Sequence, residues 1–121
     1  MCGIVGIARG PDEAPVSVAD VRRMADAIVH RGPDDEGFHA DGNVVIGMRR
    51  LSIIDLAGSR QPMSAGVTHV CFNGEIFNYA ELRSEIRGRY AFRTHGDTEV
   101  LLALYQLEGP DGVHRLDGQF A

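Results

Sequence analysis

An apolar, β-branched run begins at the second residue of this chain: Cys2-Gly3-Ile4-Val5-Gly6-Ile7-Ala8. Such a run reads as a buried strand, and here it carries a thiol at its leading end. The placement constrains fold and chemistry together. A chain whose first residues are already core must gather its later strands around them. Cysteine at position 2 is small enough to permit removal of Met1, and that step would leave Cys2 with a thiol and a free α-amine on one residue. The thiolate is the reactive form of cysteine. Thiols and α-amines titrate within about one unit of each other, close to neutrality, so an adjacent amine can take the thiol proton. One residue would then be both nucleophile and base. The competing reading is a structural cysteine in a first strand, since free cysteine is among the most buried residue types.

Length and charge narrow the classes. At 121 residues the chain is one domain at most. Its 44% hydrophobic and 24% charged content is that of a soluble globular protein. A net charge of -5, with no basic run longer than two, argues against nucleic acid as the main partner. No stretch approaches the roughly 20 apolar residues of a membrane helix, and no signal-peptide pattern opens the chain. A cytoplasmic location without membrane contact is the expectation. The two cysteines, Cys2 and Cys71, are then expected to be free thiols.

The rest of the pattern alternates between strand and helix. Ser17-Val-Ala-Asp20 reads as a capping box, with Val18, Val21, Ala25 and Ile28 at helical spacing. That helix should end before Gly32-Pro33. Residues 37–40 and 44–48 flank Asp41-Gly42, a hairpin signal. A short apolar segment covers 51–56, and a strand is expected over 66–72. Asn78 opens a second helix that runs to about Arg87, and a third helix over 97–107 is apolar on most faces. Gly118-Gln119-Phe120-Ala121 reads as a strand just beginning, so the domain is expected to be truncated at its C-terminus. Cys71 reads as a core residue of the strand before Asn73.

Several polar constellations interrupt this frame. His30-Arg31-Gly32-Pro33-Asp34 is a glycine-punctuated loop after the first helix, and basic residues there suit a helix C-terminus. Arg49-Arg50 at a strand end can be a surface ion pair, or an arginine fork for a carboxylate. Asn73-Gly74 after a strand reads as a turn, and such a turn exposes the Asn73 amide and the Gly74 N–H together as two donors for a developing oxyanion. Asp97 stands at a helix start, as a plain N-cap or as an acceptor for an ammonium group.

Met1-Cys2-Gly3-Ile4-Val5-Gly6, His30-Arg31-Gly32-Pro33-Asp34, Arg50-Leu51-Ser52-Ile53-Ile54-Asp55, Gln61-Pro62-Met63, Asn73-Gly74-Glu75-Ile76-Phe77-Asn78 and Asp97-Thr98-Glu99-Val100 follow one another at compatible spacing. In that combination the chain resembles the glutaminase domain of class II glutamine amidotransferases, in the branch of the glutamine-dependent asparagine synthetases, over essentially all of residues 1–121. The resemblance implies an α+β fold of the N-terminal-nucleophile hydrolase type, two antiparallel sheets sandwiched between helical layers. It implies that Cys2 attacks the γ-carboxamide of glutamine, releasing ammonia and leaving a γ-glutamyl thioester. Asn73 and Gly74 would form the oxyanion hole. Arg50 would pair with the α-carboxylate, and Glu75 and Asp97 would accept from the α-ammonium. No metal or cofactor is implied in this domain. ATP and Mg belong to a synthetase half that this sequence lacks, either a further domain or a partner subunit, to which the ammonia would pass. A homodimer remains open.

Two departures accompany the resemblance. The family's domain continues past the position of Ala121, and Met48 stands where histidine is common. The rival readings are a thiol amidase acting on another amide and a truncated, non-catalytic module for binding or assembly. Arg50 and Asp97 argue against the first, since together they suit a free amino acid. The acceptor of the ammonia is not encoded here.

Overall fold

A computed structural model of the chain describes residues 2–51 and 60–121. The segment Ser52-Ile53-Ile54-Asp55, with most of the apolar stretch expected over 51–56, lies outside the described residues.

The opening run forms β1 (Gly3–Ala8). The hairpin signal at Asp41-Gly42 produces β2 (Asp35–Asp41) and β3 (Val44–Arg50), with Gly42 at φ +51°, a left-handed value that glycine takes at no steric cost. All pairing is antiparallel and β3 is central, in the order β1-β3-β2. The capping-box segment starts helix α1 (Val18–Ala27) after Ser17, but the Ser17 side chain makes no capping hydrogen bond. Asp20 instead pairs with Arg23. Helix α1 lays Val21 and Ala25 on the sheet, where they meet Val5, Val16 and Val45 in one apolar cluster. As expected, it stops before Gly32-Pro33, through a short 3-10 turn, Val29–Arg31.

The second half of the chain departs further from its sequence pattern. Of the strand expected over 66–72 only the middle forms, as β5 (Thr68–Val70), and it pairs with an unforeseen β4 (Met63–Ala65) across a turn that holds Gly66 at φ +57°. Cys71 therefore follows β5 rather than lying within it, half-buried. Burial pushes its thiol up to about 11. Helix α2 (Tyr79–Ile86) begins after Asn78, whose side chain does not cap it. The Asn78 amide instead donates to the Arg115 carbonyl at 3.0 Å and its oxygen accepts from the Asp117 N–H at 3.0 Å, anchoring the later 3-10 segment Gly109–Arg115. Helix α3 (Asp97–Glu108) buries residues on several faces, as its composition requires. Its Val100, Ala103 and Leu104 join Phe72, Ile76, Leu82 and Ile86 in a second cluster. The strand expected to begin at Gly118 is β7 (Gly118–Phe120), which pairs antiparallel with β6 (Gly74–Ile76).

The architecture is α+β, with three antiparallel sheets and three α-helices among the described residues. Two apolar clusters, one under β1-β3-β2 and one around α3, flank the place where the site residues meet.

Candidate functional site

The antiparallel register builds one wall of a cleft. Gly3 lies opposite Arg49, so the leading end of β1 abuts the trailing end of β3, and Cys2 reaches the same sheet edge as Arg50. Backbone contacts fix the sulfur there: the Leu51 N–H donates to Cys2 Sγ at 3.5 Å, and the thiol lies 4.0 Å from the Leu51 carbonyl oxygen. Strand alternation then separates the two arginines. The Arg49 side chain turns to α1 and β2, donating to the Ala25 carbonyl and pairing with Asp26 and Glu36. Arg50 is buried and faces the cleft. Gly32, from the His-Arg-Gly-Pro-Asp loop, runs directly against this strand end. A Cβ there would lie 2.3 Å from the Arg49 carbonyl carbon and 2.5 Å from the Arg50 nitrogen, so only glycine lets the loop pass. The Asp34 N–H closes the contact with a 3.1 Å bond to the Arg50 carbonyl.

The opposite wall comes from β6 and the start of α3. Asn73-Gly74 is not the turn expected from the sequence; it is the entry to β6. Asn73 and Ala121 exchange both backbone hydrogen bonds, at 2.9 and 2.8 Å. In an antiparallel ladder the next pair, Gly74 opposite Phe120, is then a non-hydrogen-bonded one, and the Gly74 N–H points away from β7. Two residues on, the Ile76 N–H points the same way and donates to Asp97 Oδ2 at 3.1 Å. The ladder thus leaves the Gly74 donor on the side where Asp97 stands. Gly74 has φ +153°, and a Cβ would meet the Gln119 carbonyl oxygen at 2.1 Å, so this approach of strands requires glycine. The Asn73 carboxamide makes no hydrogen bond to the described residues. Gly96, not Asp97, is the N-cap of α3, and Asp97, one residue inside, reaches across to β6. Glu75 is exposed on β6.

Cys2, Arg50, Asn73, Gly74, Glu75 and Asp97 all line this one cleft of about 770 Å³. They come from chain positions up to 95 residues apart in the sequence. The arrangement sets a thiol, a guanidinium, two carboxylates, a carboxamide and an unladdered N–H around a single space. That inventory suits a zwitterionic amino acid whose side chain presents a carbonyl to the sulfur. Among the described residues no group of three His, Cys, Asp or Glu side chains is placed to hold a metal ion, and no helix is long and apolar enough to cross a membrane.

Sequence reasoning missed three supports. The Leu51 N–H on the sulfur has no signature in the sequence, because any residue supplies it. Gln61 also lines the cleft, with its Oε1 accepting from the Phe72 N–H at 2.6 Å. Glu99 is fully buried and accepts from the N–H groups of Arg93 and Thr94 and from the Thr94 hydroxyl, holding the loop that leads to Asp97. Desolvation pushes the Glu99 carboxyl up, but the Thr94 hydroxyl, the two backbone donors and the Arg93 charge together hold it below the usual carboxylate range. The sequence marked it only as a member of the Asp97-Thr98-Glu99-Val100 motif and by its place in the first turn of a helix, which normally holds a solvent-exposed carboxylate.

The family model of the glutamine amidotransferase domain matches residues 1–121. Over its whole length the chain is 44% identical to asparagine synthetase [glutamine-hydrolyzing] 1 of Bacillus subtilis (strain 168), covering 20% of that protein. It is 40% identical to asparagine synthetase B [glutamine-hydrolyzing] of Escherichia coli (strain K12), covering 22% of it. A putative asparagine synthetase [glutamine-hydrolyzing] of Mycobacterium tuberculosis (strain ATCC 25618 / H37Rv) is 41% identical, with 21% covered. The chain spans about a fifth of the length of these curated relatives. With all of its residues matched by the family model, the chain belongs to the glutamine amidotransferase domain family.

Proposed function

We propose that this domain hydrolyses glutamine to glutamate and ammonia through a γ-glutamyl thioester on Cys2, and that the ammonia serves an ATP-dependent synthetase of the asparagine synthetase type. The observation that carries the reading is the convergence of Cys2, Arg50, Asn73, Gly74, Glu75 and Asp97 on one cleft. In this reading Arg50 takes the α-carboxylate, and Glu75 and Asp97 take the α-ammonium. A grip on both charges of the head group selects a free amino acid, because an analogue lacking either charge forfeits one of the two charge-assisted contacts.

The chemistry follows from that pose. After loss of Met1, the α-amine of Cys2 takes the thiol proton, and the sulfur attacks the γ-carbonyl carbon. Charge develops on the carbonyl oxygen, where the Asn73 carboxamide and the Gly74 N–H donate. The protonated amine gives its proton to the departing nitrogen, and ammonia leaves as the thioester forms. Water, deprotonated by the same amine, then attacks the thioester and releases glutamate with the free thiol. The described strands and helices would form part of a sandwich of antiparallel sheets between helical layers. The synthetase chemistry, with ATP and Mg, would belong to a further domain or a partner subunit.

Radiolabelled glutamine, quenched during turnover, tests the reading. Labelled γ-glutamyl adduct should be found on Cys2, and Cys2→Ala should abolish adduct and ammonia release, a loss of more than about 10³-fold. A brief iodoacetamide treatment should inactivate by alkylating Cys2 and spare Cys71, whose raised thiol stays protonated at neutral pH. Undiminished turnover in Cys2→Ala, or in protein that retains Met1, would overturn the N-terminal mechanism.

A further inference from the structure

We propose that Gln61 is the positioning residue that ties the two halves of the glutamine site to each other, setting the oxyanion donors of β6 against the ammonium acceptor at the start of α3. The inference rests on the reading of the cleft as a glutamine site. Gln61 belongs to the Gln61-Pro62-Met63 segment, which the proposed chemistry leaves without a task. Its Oε1 accepts from the Phe72 N–H at 2.6 Å, immediately before Asn73 and Gly74. Its Nε2 lies 3.5 Å from Thr98 Oγ1, immediately after Asp97, at the outer limit of a hydrogen bond. One side chain thus touches the residue next to each group of site residues. Its own backbone is held in place as well. Gly37 of β2 packs so closely on it that a Cβ there would lie 1.9 Å from the Gln61 carbonyl oxygen. Phe72 is buried in the cluster around α3, so a displaced Phe72 N–H cannot be re-paired without disturbing that packing. An amide is suited to this place because it offers an acceptor to one wall and a donor to the other without adding charge beside Glu75 and Asp97.

The test uses Gln61→Met, which keeps the length and removes both polar contacts, and Thr98→Val, which removes only the partner on the α3 side. Both are measured in the native full-length protein. Gln61→Met should lower kcat and raise KM for glutamine together, for a loss of about tenfold or more in kcat/KM. Thr98→Val should raise KM by about two- to fivefold with little change in kcat, since it disturbs the Asp97 side through the weaker contact. Amide hydrogen exchange supplies a readout independent of turnover. Exchange at Phe72 and Asn73 should quicken in Gln61→Met while exchange in β1 and β3 stays unchanged. Unaltered exchange at these two residues would overturn the positioning role, as would a loss of activity that merely tracks a global fall in Tm. A wild-type protein without glutaminase activity would refute the functional reading instead, and the exchange measurement would still decide whether Gln61 joins the walls.

Discussion

The two walls of the cleft are built by different means. The wall that carries Cys2 and Arg50 rests on strands of six and seven residues, in register from Gly3↔Arg49 to Ala8↔Val44. Its site residues sit at strand ends, and the ladder alone brings them to one edge. The wall that carries Asn73, Gly74, Glu75 and Asp97 rests on three-residue strands, too short to hold a geometry alone. There the positions depend on individual contacts: Ile76 to Asp97, Phe72 to Gln61, and, locally, Thr94 and Arg93 to Glu99. The difference teaches that Cys2, the proposed nucleophile, is held by regular secondary structure, while the groups expected to answer developing and fixed charge are held by individual side chains. Substitutions should therefore act locally on the second wall and through the whole sheet on the first.

The largest effect short of losing the nucleophile is expected at Asn73. Asn73→Ala should lower kcat by about 10²–10³-fold with KM nearly constant, because one donor to the developing oxyanion is lost. Steady-state kinetics with glutamine check this, and a change confined to KM would make Asn73 a binding residue.

The arginine pair sharpens the comparison within the first wall. Arg50→Ala should raise KM far more than it lowers kcat, with a loss of about 2–5 kcal/mol in binding. Arg49→Ala should do the reverse. It should cost about 2 kcal/mol of stability by releasing Ala25, Asp26 and Glu36, and leave KM close to the wild-type value. Denaturant unfolding and KM measured on both variants would settle the assignment, and an unchanged KM in Arg50→Ala would move the carboxylate site.

The smallest effect tests the second wall through pH. The Glu99 carboxyl is held below its usual range, so it contributes stability that is fully present above the unfolded value of about 4.3. That contribution is lost as pH falls from there through the lower folded value. Glu99→Gln should therefore flatten the acid limb of the stability profile below about pH 4.3 and cost about 1 kcal/mol at pH 7, since one of its accepting oxygens is kept. An acid limb identical to wild type would show that Glu99 is not the group that titrates.

Much of the first wall was legible in the sequence because its signals are local. A β-branched run, helical spacing behind Ser17, and Asp41-Gly42 each depend on neighbours within a few residues, and β1, α1 and the β2–β3 hairpin followed. The side chains expected to cap helices did not, since Ser17 leaves its helix uncapped and Asn78 bonds to Arg115 and Asp117. Residues 66–72 hid a turn at Gly66, because an apolar run does not reveal where a hairpin folds back. Asn73-Gly74 has the composition of a turn, and the partner that makes it a strand, residues 118–120, lies far along the chain.

By itself the sequence determined the family of the chain and nominated the residues of the candidate site, because six short motifs in fixed order carry that information without any fold. It also determined the thiol's place at the head of a strand. Only the tertiary structure decided that Asn73-Gly74 enters a strand rather than a turn, which N–H is left out of the ladder at Gly74, and what holds the Cys2 sulfur. The physical reason is that these depend on strand register and on backbone groups. Register is set by pairing between distant segments, and every residue but proline carries the same N–H.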